Sequence, residues 1–403
     1  MEEFMKNVKK SLVNTVKKDN GQRKTKAISK TFATAVKKID APRTWEVDYP
    51  LVEILFTALV AVCCGGESYY DFATFAEQQL RWLRKFFPFK NGTPSHDTFN
   101  RVFDLLDPNS LEKAYRLLIE GLKIRNTRHI AIDGKASRGC YKIKGQGLLH
   151  VVSAYDTENG IALGQQKTKN DEGKDVGEYN TIPVLIETLD IKDALVTIDA
   201  VVCYANIADA VIEGEGNYLI TVKDNQPTLL NEAKEAFAEV ESKDFEGVEK
   251  YQESDCGHGR IEERTYYAVP VAKESELRKK WQRLETFVMG VFYREVQGKT
   301  TREVRYLMSD LRCKEVQRLG RSARKHWGIE NRLHWVLDVS FREDAHRTRG
   351  GNGEENLGKL RRLALGLMRK VKGKQTVPTM MFKAALAPDF RTSVIEKLIN
   401  CEF

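Results

Sequence analysis

The chain has little that would mark an exported, membrane-spanning or zinc-dependent protein. Its seven cysteines are scattered over 403 residues, and Cys63-Cys64 is the only close pair. With no Cys-x-x-Cys and no Cys/His grouping, zinc-finger and zinc-ribbon classes are excluded. An odd, dispersed set of thiols reads as reduced, and therefore as a cytoplasmic protein, nucleoid-associated if its partner is DNA. No apolar run reaches the roughly 20 residues that cross a bilayer. The most apolar stretch, "LVEILFTALVAVCC" (51–64), is shorter and carries Glu53, so it is expected to be a buried core helix. The N-terminus is charged throughout and lacks the apolar region of an export signal. There is no internal repeat, and only the Lys-rich start is of low complexity.

What is present is a sizeable globular composition, 41% hydrophobic and 30% charged, enough for two or three structural units. The net charge of +8 is unevenly placed. Residues 1–40 hold eleven Lys or Arg against four Asp or Glu, and "LGKLRRLALGLMRKVKGK" (357–374) has no acidic residue. Basic ends around a mixed-charge middle suit a polyanion such as DNA or RNA. Residues 1–40 read as a basic leader that can be mobile. Residues 41–125 read as a helical domain and a candidate for DNA-end binding, with apolar residues at three and four spacings and Ser95 or Asp97 as N-cap.

At His129 the texture becomes β-like. "HIAIDGKAS" is followed by two β-rich segments flanking Thr157-Glu158-Asn159-Gly160, whose Asn-Gly signals a hairpin. A helix from about Glu178, the strand "ALVTIDA", the helix "YANIADAVIEG" and the strand "NYLITVK" complete a β-β-β-α-β-α-β order. That order describes an α/β domain, expected over 126–372, with a β-rich antiparallel insertion at about 225–310 and a tail at 373–403.

Three carboxylates stand out. Asp133 closes "HIAID" and Asp199 closes "LVTID", each directly after an apolar strand, where open α/β sheets place ligand sites. Glu330 lies inside "HWGIENRLHWVLD". On a regular helix Ile329, Leu333, Val336 and Leu337 form one apolar stripe, and Glu330 projects about 20° from Leu337. The expectation is that Glu330 points inward and needs a partner, a proton or a metal. Convergent Asp and Glu with no Cys or His suit Mg²⁺ or Mn²⁺, and two such ions about 4 Å apart serve phosphodiester displacement.

Eight collinear blocks carry a family resemblance: "YPLVEILFTALVAVCCGGESYYDF", "NGTPSHDTFNRVFDLLDP", "AIDGKASRG", "HVVSAYD", "VTIDA", "YLITVKDNQPTL", "HWGIENRLHWVLDVSFREDAHRTR" and "NLGKLRRLALGLM". From about Ala41 to Lys372 the chain resembles the H-repeat-associated branch of bacterial insertion-sequence transposases. The resemblance implies a ribonuclease-H-like catalytic domain with a β-rich insertion, preceded by an all-α N-terminal domain. It also implies a DDE triad of Asp133, Asp199 and Glu330 that holds two divalent ions, Mg²⁺ or Mn²⁺. Where the wider superfamily carries Tyr, Arg and Lys around the Glu, this chain has Ala323, His326 and Leu337. Its partners would be terminal inverted repeats and target DNA, handled by a homodimer or larger assembly, with no membrane. Candidate DNA contacts are Lys135, Arg138, Lys223, Asn225, His258, Arg260, His326, His334, Arg347 and Arg349. The competing readings are an inactive or domesticated DNA-binding protein of the same fold, and a metal-dependent nuclease without strand transfer.

Overall fold

The computed structural model describes residues 21–40, 48–122, 127–137, 149–169, 174–257, 259–345, 351–371 and 373–400. Helices come first: α1 (21–36), α2 (Leu51–Cys63), α3 (Tyr69–Leu83), α4 (His96–Leu105) and α5 (Pro108–Glu120). Strands β1 (His129–Ser137), β2 (Leu149–Asp156) and β3 (Ile161–Lys167) come after them, then α6 (Glu178–Glu187), β4 (Leu195–Ile198), α7 (Ala205–Glu213), β5 (Asn217–Val222) and α8 (Pro227–Glu241). Next are β6 (Glu249–Gly257), β7 (Arg260–Pro270), the short α9 (Leu277–Lys280), β8 (Thr286–Val296) and β9 (Lys299–Ser309). The last helices are α10 (Val316–Gly328), α11 (Trp335–Val339), α12 (Gly353–Arg369), α13 (Val377–Leu386) and α14 (Pro388–Ile395). The chain forms two compact units: residues 1–124, 137–148 and 336–403, and residues 125–136 with 149–335.

Apart from Ser137 at the end of β1, the secondary-structure elements described in the first unit are helices. Its α2 is buried from Glu53 to Cys63, as its apolar run requires. Glu53 is tolerated there because its carboxylate accepts the Phe89 N–H at 2.8 Å, while burial pushes its carboxyl up. Residues 21–40 are not a polar leader. The α1 stripe of Ile28, Phe32 and Ala35 is buried, and the Phe32 ring meets Phe56 edge-on at 5.4 Å. Ser95 caps α4, its hydroxyl accepting the Thr98 N–H.

The basic stretch near the C-terminus differs most from expectation. Lys359, Arg361 and Arg362 on α12 are each no more than 3% exposed, so they form no polyanion-facing surface. Lys359 sits 2.9 Å from Glu355 and 3.8 Å from Glu112, and Arg362 lies 2.9 Å from Glu343. The acidic partners come from outside the 357–374 window, which is why the window reads as uncompensated. Residues expected to be a tail form α13 and α14, which bury Met380, Met381, Val394 and Ile395.

The second unit is built on one mixed nine-stranded sheet in the order β3-β2-β1-β4-β5-β9-β8-β7-β6. Strands β1, β4 and β5 are parallel neighbours, and β2 and β3 form the antiparallel hairpin that Asn159-Gly160 signals. Strand β9 pairs antiparallel with β5, so the β-rich segment continues the central sheet rather than adding a separate layer. Among the described residues no helix is long and apolar enough to cross a membrane.

Candidate functional site

The β1–β4 register sets the site. The parallel pairing runs His129↔Leu195 to Ile132↔Ile198 and stops there. Asp133 and Asp199 are each the next residue, so two carboxylates leave adjacent strands at the same level. Neighbouring strands lie about 4.8 Å apart. Strand β1 continues to Ser137, so Asp133 does not end its strand, while β4 ends at Ile198, directly before Asp199.

Four acidic groups share this region. Burial pushes the Asp133 carboxyl up to about 7, and the charges of Glu330, Glu178 and Asp199 add to the rise, while the Gly134 N–H opposes it. The sequence reading anticipated three of these residues and missed Glu178. Glu178 opens α6 after Gly177 and lies against the backbone of Gly134, where any Cβ would overlap its carboxylate. Its own carboxyl is pushed up by burial and by Asp175 and Asp199. The available signal was an acidic residue at a helix start directly before β4, which is also what helix-dipole stabilisation produces.

Gly134→Ala is expected to displace Glu178 without unfolding the protein, because the obstructed atoms are the far end of a flexible side chain. Thermal melting should shift by no more than about 1 kcal/mol in equivalent stability. Activity should fall to the level of Glu178→Gln; full activity in Gly134→Ala would remove Glu178 from the site.

Glu330 reaches this neighbourhood by a different geometry from the expected one. Residues Ile329–His334 form a π-helical turn between α10 and α11. Such a turn holds an extra residue and rotates the helix beyond it by about 100° relative to a regular one. The wheel that aligned Glu330 with Leu337 therefore fails: Leu337 is fully buried and Glu330 is exposed. Glu330 needs no buried counter-ion, and its charge acts on Asp133 from the open side. The same turn buries His334, whose Nδ1 is 3.5 Å from Asp133 Oδ2.

The remaining candidates are spread. Lys223 Nζ is 3.9 Å from Asp199 Oδ1, and Asn225 Nδ2 donates to the Ala200 carbonyl at 2.7 Å. Gln226 Nε2 donates to the Cys203 carbonyl at 2.8 Å, so this segment pins the loop after Asp199. Lys135 lies two residues beyond Asp133 on β1, on the same face of the strand. His326 Nδ1 is 2.9 Å from Thr197 Oγ1, so its ring serves the site's interior. Arg260 pairs with Glu262 at 3.3 Å at the start of β7. Arg138, His258, Arg347 and Arg349 lie outside the described residues. Among the described residues, no three of His, Cys, Asp and Glu stand close enough to hold a metal ion. The acidic residues here offer only hard oxygen donors, and their like charges act on Asp133, which is the chemistry a divalent cation compensates.

A family model described as "Transposase DDE domain" matches residues 124–367, and one described as "DDE_Tnp_1-associated" matches residues 33–119. The chain is 35% identical to the "Putative transposase YncI" of Escherichia coli O157:H7 over 83% of its own length and 85% of that protein. It is 32% identical to the "H repeat-associated putative transposase YhhI" of Escherichia coli K12, covering 88% and 95% of the two chains. A piggyBac transposase synaptic complex with hairpin DNA aligns at 13% identity with a TM-score of 0.38, over 90% of this chain and 76% of that one.

Proposed function

The chain belongs to the DDE transposase family, in its H-repeat-associated branch, and from this we propose that it cuts DNA at the ends of its own insertion sequence and joins the freed 3′-hydroxyl to target DNA. The observation that carries the proposal is the paired register of Asp133 and Asp199, one residue past the last parallel pair, with Glu330 acting on the same carboxyl. The order β3-β2-β1-β4-β5, with β1, β4 and β5 parallel, supports a ribonuclease-H-like core carrying β6 to β9 as an insertion.

Although no three of these groups stand close enough for one ion among the described residues, Asp133, Asp199 and Glu330 are the residues that would hold Mg²⁺ or Mn²⁺, with Glu178 as a fourth acidic group whose charge reaches Asp133. A divalent cation bound there supplies the positive charge that stabilises the attacking and leaving oxygens of a phosphodiester displacement. The chain's own side chains prepare the site. His334 braces Asp133 from the buried side, and Lys223 offsets the charge of Asp199. Asn225 and Gln226 fix the loop that presents Asp199. Lys135, on the same face of β1 as Asp133, would meet a phosphate flanking the scissile bond.

The test is an assay on linear DNA carrying the element's own terminal repeats, with Mg²⁺ and with EDTA, then a strand-transfer assay with plasmid target. Mg²⁺-dependent nicking at the repeat boundary and joined products are expected. Nicking without joining would leave a nuclease; binding without nicking would leave a DNA-binding protein of the same fold.

A further inference from the structure

Two tyrosines stand beside the acidic residues with much of their surface open to solvent. Tyr179 directly follows Glu178 in the first turn of α6, and Tyr204 directly precedes α7, five residues after Asp199. Asn206 Nδ2 donates to the Tyr179 carbonyl at 3.1 Å, which ties the two helix starts together. The ring centroids of Tyr179 and Tyr204 are 5.3 Å apart, with the planes tilted by 40°. The two residues are 44% and 40% exposed, and Val201, in the turn between Asp199 and Tyr204, is 67% exposed. Gly177 makes room for the first ring: a Cβ there would lie 3.1 Å from the Tyr179 ring carbons, and its φ of 76° is one that other residues rarely adopt. Single exposed apolar side chains are ordinary, but three gathered at the rim of a charged site mark a surface that receives something.

The charge pattern says what it receives. From Asp175 to Val222 the chain has one Lys and no Arg, whereas 65 Lys and Arg are spread over the 403 residues. That one, Lys192, is paired with Glu215. The cations near the site, Lys135 and Lys223, belong to β1 and to the segment after β5, not to α6 or α7. A DNA backbone is held through its phosphates, which require cations, so the α6–α7 rim does not suit it. The face of a nucleobase is flat and uncharged, and it stacks on aromatic rings. Within a duplex that face is covered by the neighbouring bases, so a base must leave the stack to offer it.

We propose that Tyr179 and Tyr204 form a stacking platform, with Val201 at its side, for one nucleobase of the element's own end that has left the duplex beside the scissile phosphate. The end is the occupant because it enters the site at the first step, and target DNA arrives only once the 3′-hydroxyl is free. The place of the cut rests on the function proposed above; the stacking is measured without any cut.

Full-length protein is bound in EDTA to terminal-repeat DNA that carries 5-iodouracil at one position at a time across the repeat boundary. On irradiation this base crosslinks to an aromatic ring on which it stacks. One position should crosslink to Tyr179 or Tyr204, identified from the mass of the linked peptide. Crosslinks to these tyrosines from target DNA alone, or crosslinks to other residues alone, overturn the proposal, whether or not the protein cleaves DNA. The second measurement uses DNA in which the crosslinked base has no complementary partner. There Tyr179→Ala/Tyr204→Ala should bind about 5- to 100-fold more weakly than the wild type, and Tyr179→Phe/Tyr204→Phe should bind like it. Replacing that base by an abasic site should remove the difference, so that the wild type and the Ala variant bind alike. A loss of the same size on abasic DNA would make the two rings supports of the α6–α7 junction, and no loss on either DNA would leave them without a base; both results overturn the proposal.

Discussion

Asp133→Asn should abolish DNA cleavage and at the same time stabilise the fold at alkaline pH. The two effects have one cause. In the folded chain the Asp133 carboxyl titrates at about 7, because it is buried among Glu330, Glu178 and Asp199. In the unfolded chain it titrates near 3.9. The folded state therefore holds this proton more tightly, so stability from this group is fully present below about pH 4 and is lost as pH rises to about 7. Each unit of the difference is worth about 1.4 kcal/mol, and the Asp133 side chain is only 26% exposed. Without divalent cation, Asp133→Asn should thus exceed the wild type by on the order of a few kcal/mol at pH 8 and match it near pH 4. An asparagine Oδ1 can still accept the Gly134 N–H that Asp133 accepts at 2.9 Å, so the gain is not lost to a broken bond. Added Mg²⁺ or Mn²⁺ should stabilise the wild type most at high pH and the Asn variant least. Cleavage should fall by about 10²- to 10³-fold or more, the scale seen when a central electrostatic group is removed. Thermal melts across pH, with and without Mn²⁺, test the first part. A variant less stable than the wild type at pH 8, or one that still cleaves, would break the link between charge repulsion and function.

How much of this could be read from the sequence depends on which residues report on their own surroundings. The aspartates were legible because each comes directly after a run of strand residues, and parallel strands in register bring equivalent positions together. The hairpin was legible because Asn159-Gly160 satisfies a turn whose Gly160 has φ 73°. Glu330's direction was not. A helical wheel assumes a fixed angle per residue, and the π turn at Ile329–His334 breaks that assumption at the residue in question. Glu178 was hidden by a simpler fact: its meaning lies in its approach to Gly134, 44 positions away, and the glycine by itself looks like a turn residue. The extent of the sheet was equally hidden, since strand-like texture at 250–308 cannot say which edge it joins.

The buried basic helix makes the second large prediction. Lys359→Met should cost about 3–5 kcal/mol, because it withdraws the cation from between Glu355 and Glu112, both buried. Arg116 lies 3.4 Å from Glu112 and is part-exposed, so it offsets some of the loss at that end but none beside Glu355. Replacing Glu355 as well, in Lys359→Met/Glu355→Leu, should recover much of the stability, as exchanging an ion pair for apolar groups often does. Urea denaturation of the three proteins at pH 7 gives these differences. The competing picture treats residues 357–374 as a surface for nucleic acid and makes opposite demands. Lys359→Met would then leave stability nearly untouched and would reduce the salt dependence of DNA binding by about one phosphate contact. A stable variant with a shallower salt slope would restore that picture; a destabilised one with the slope unchanged places these charges in the core, where they hold α12 against α5.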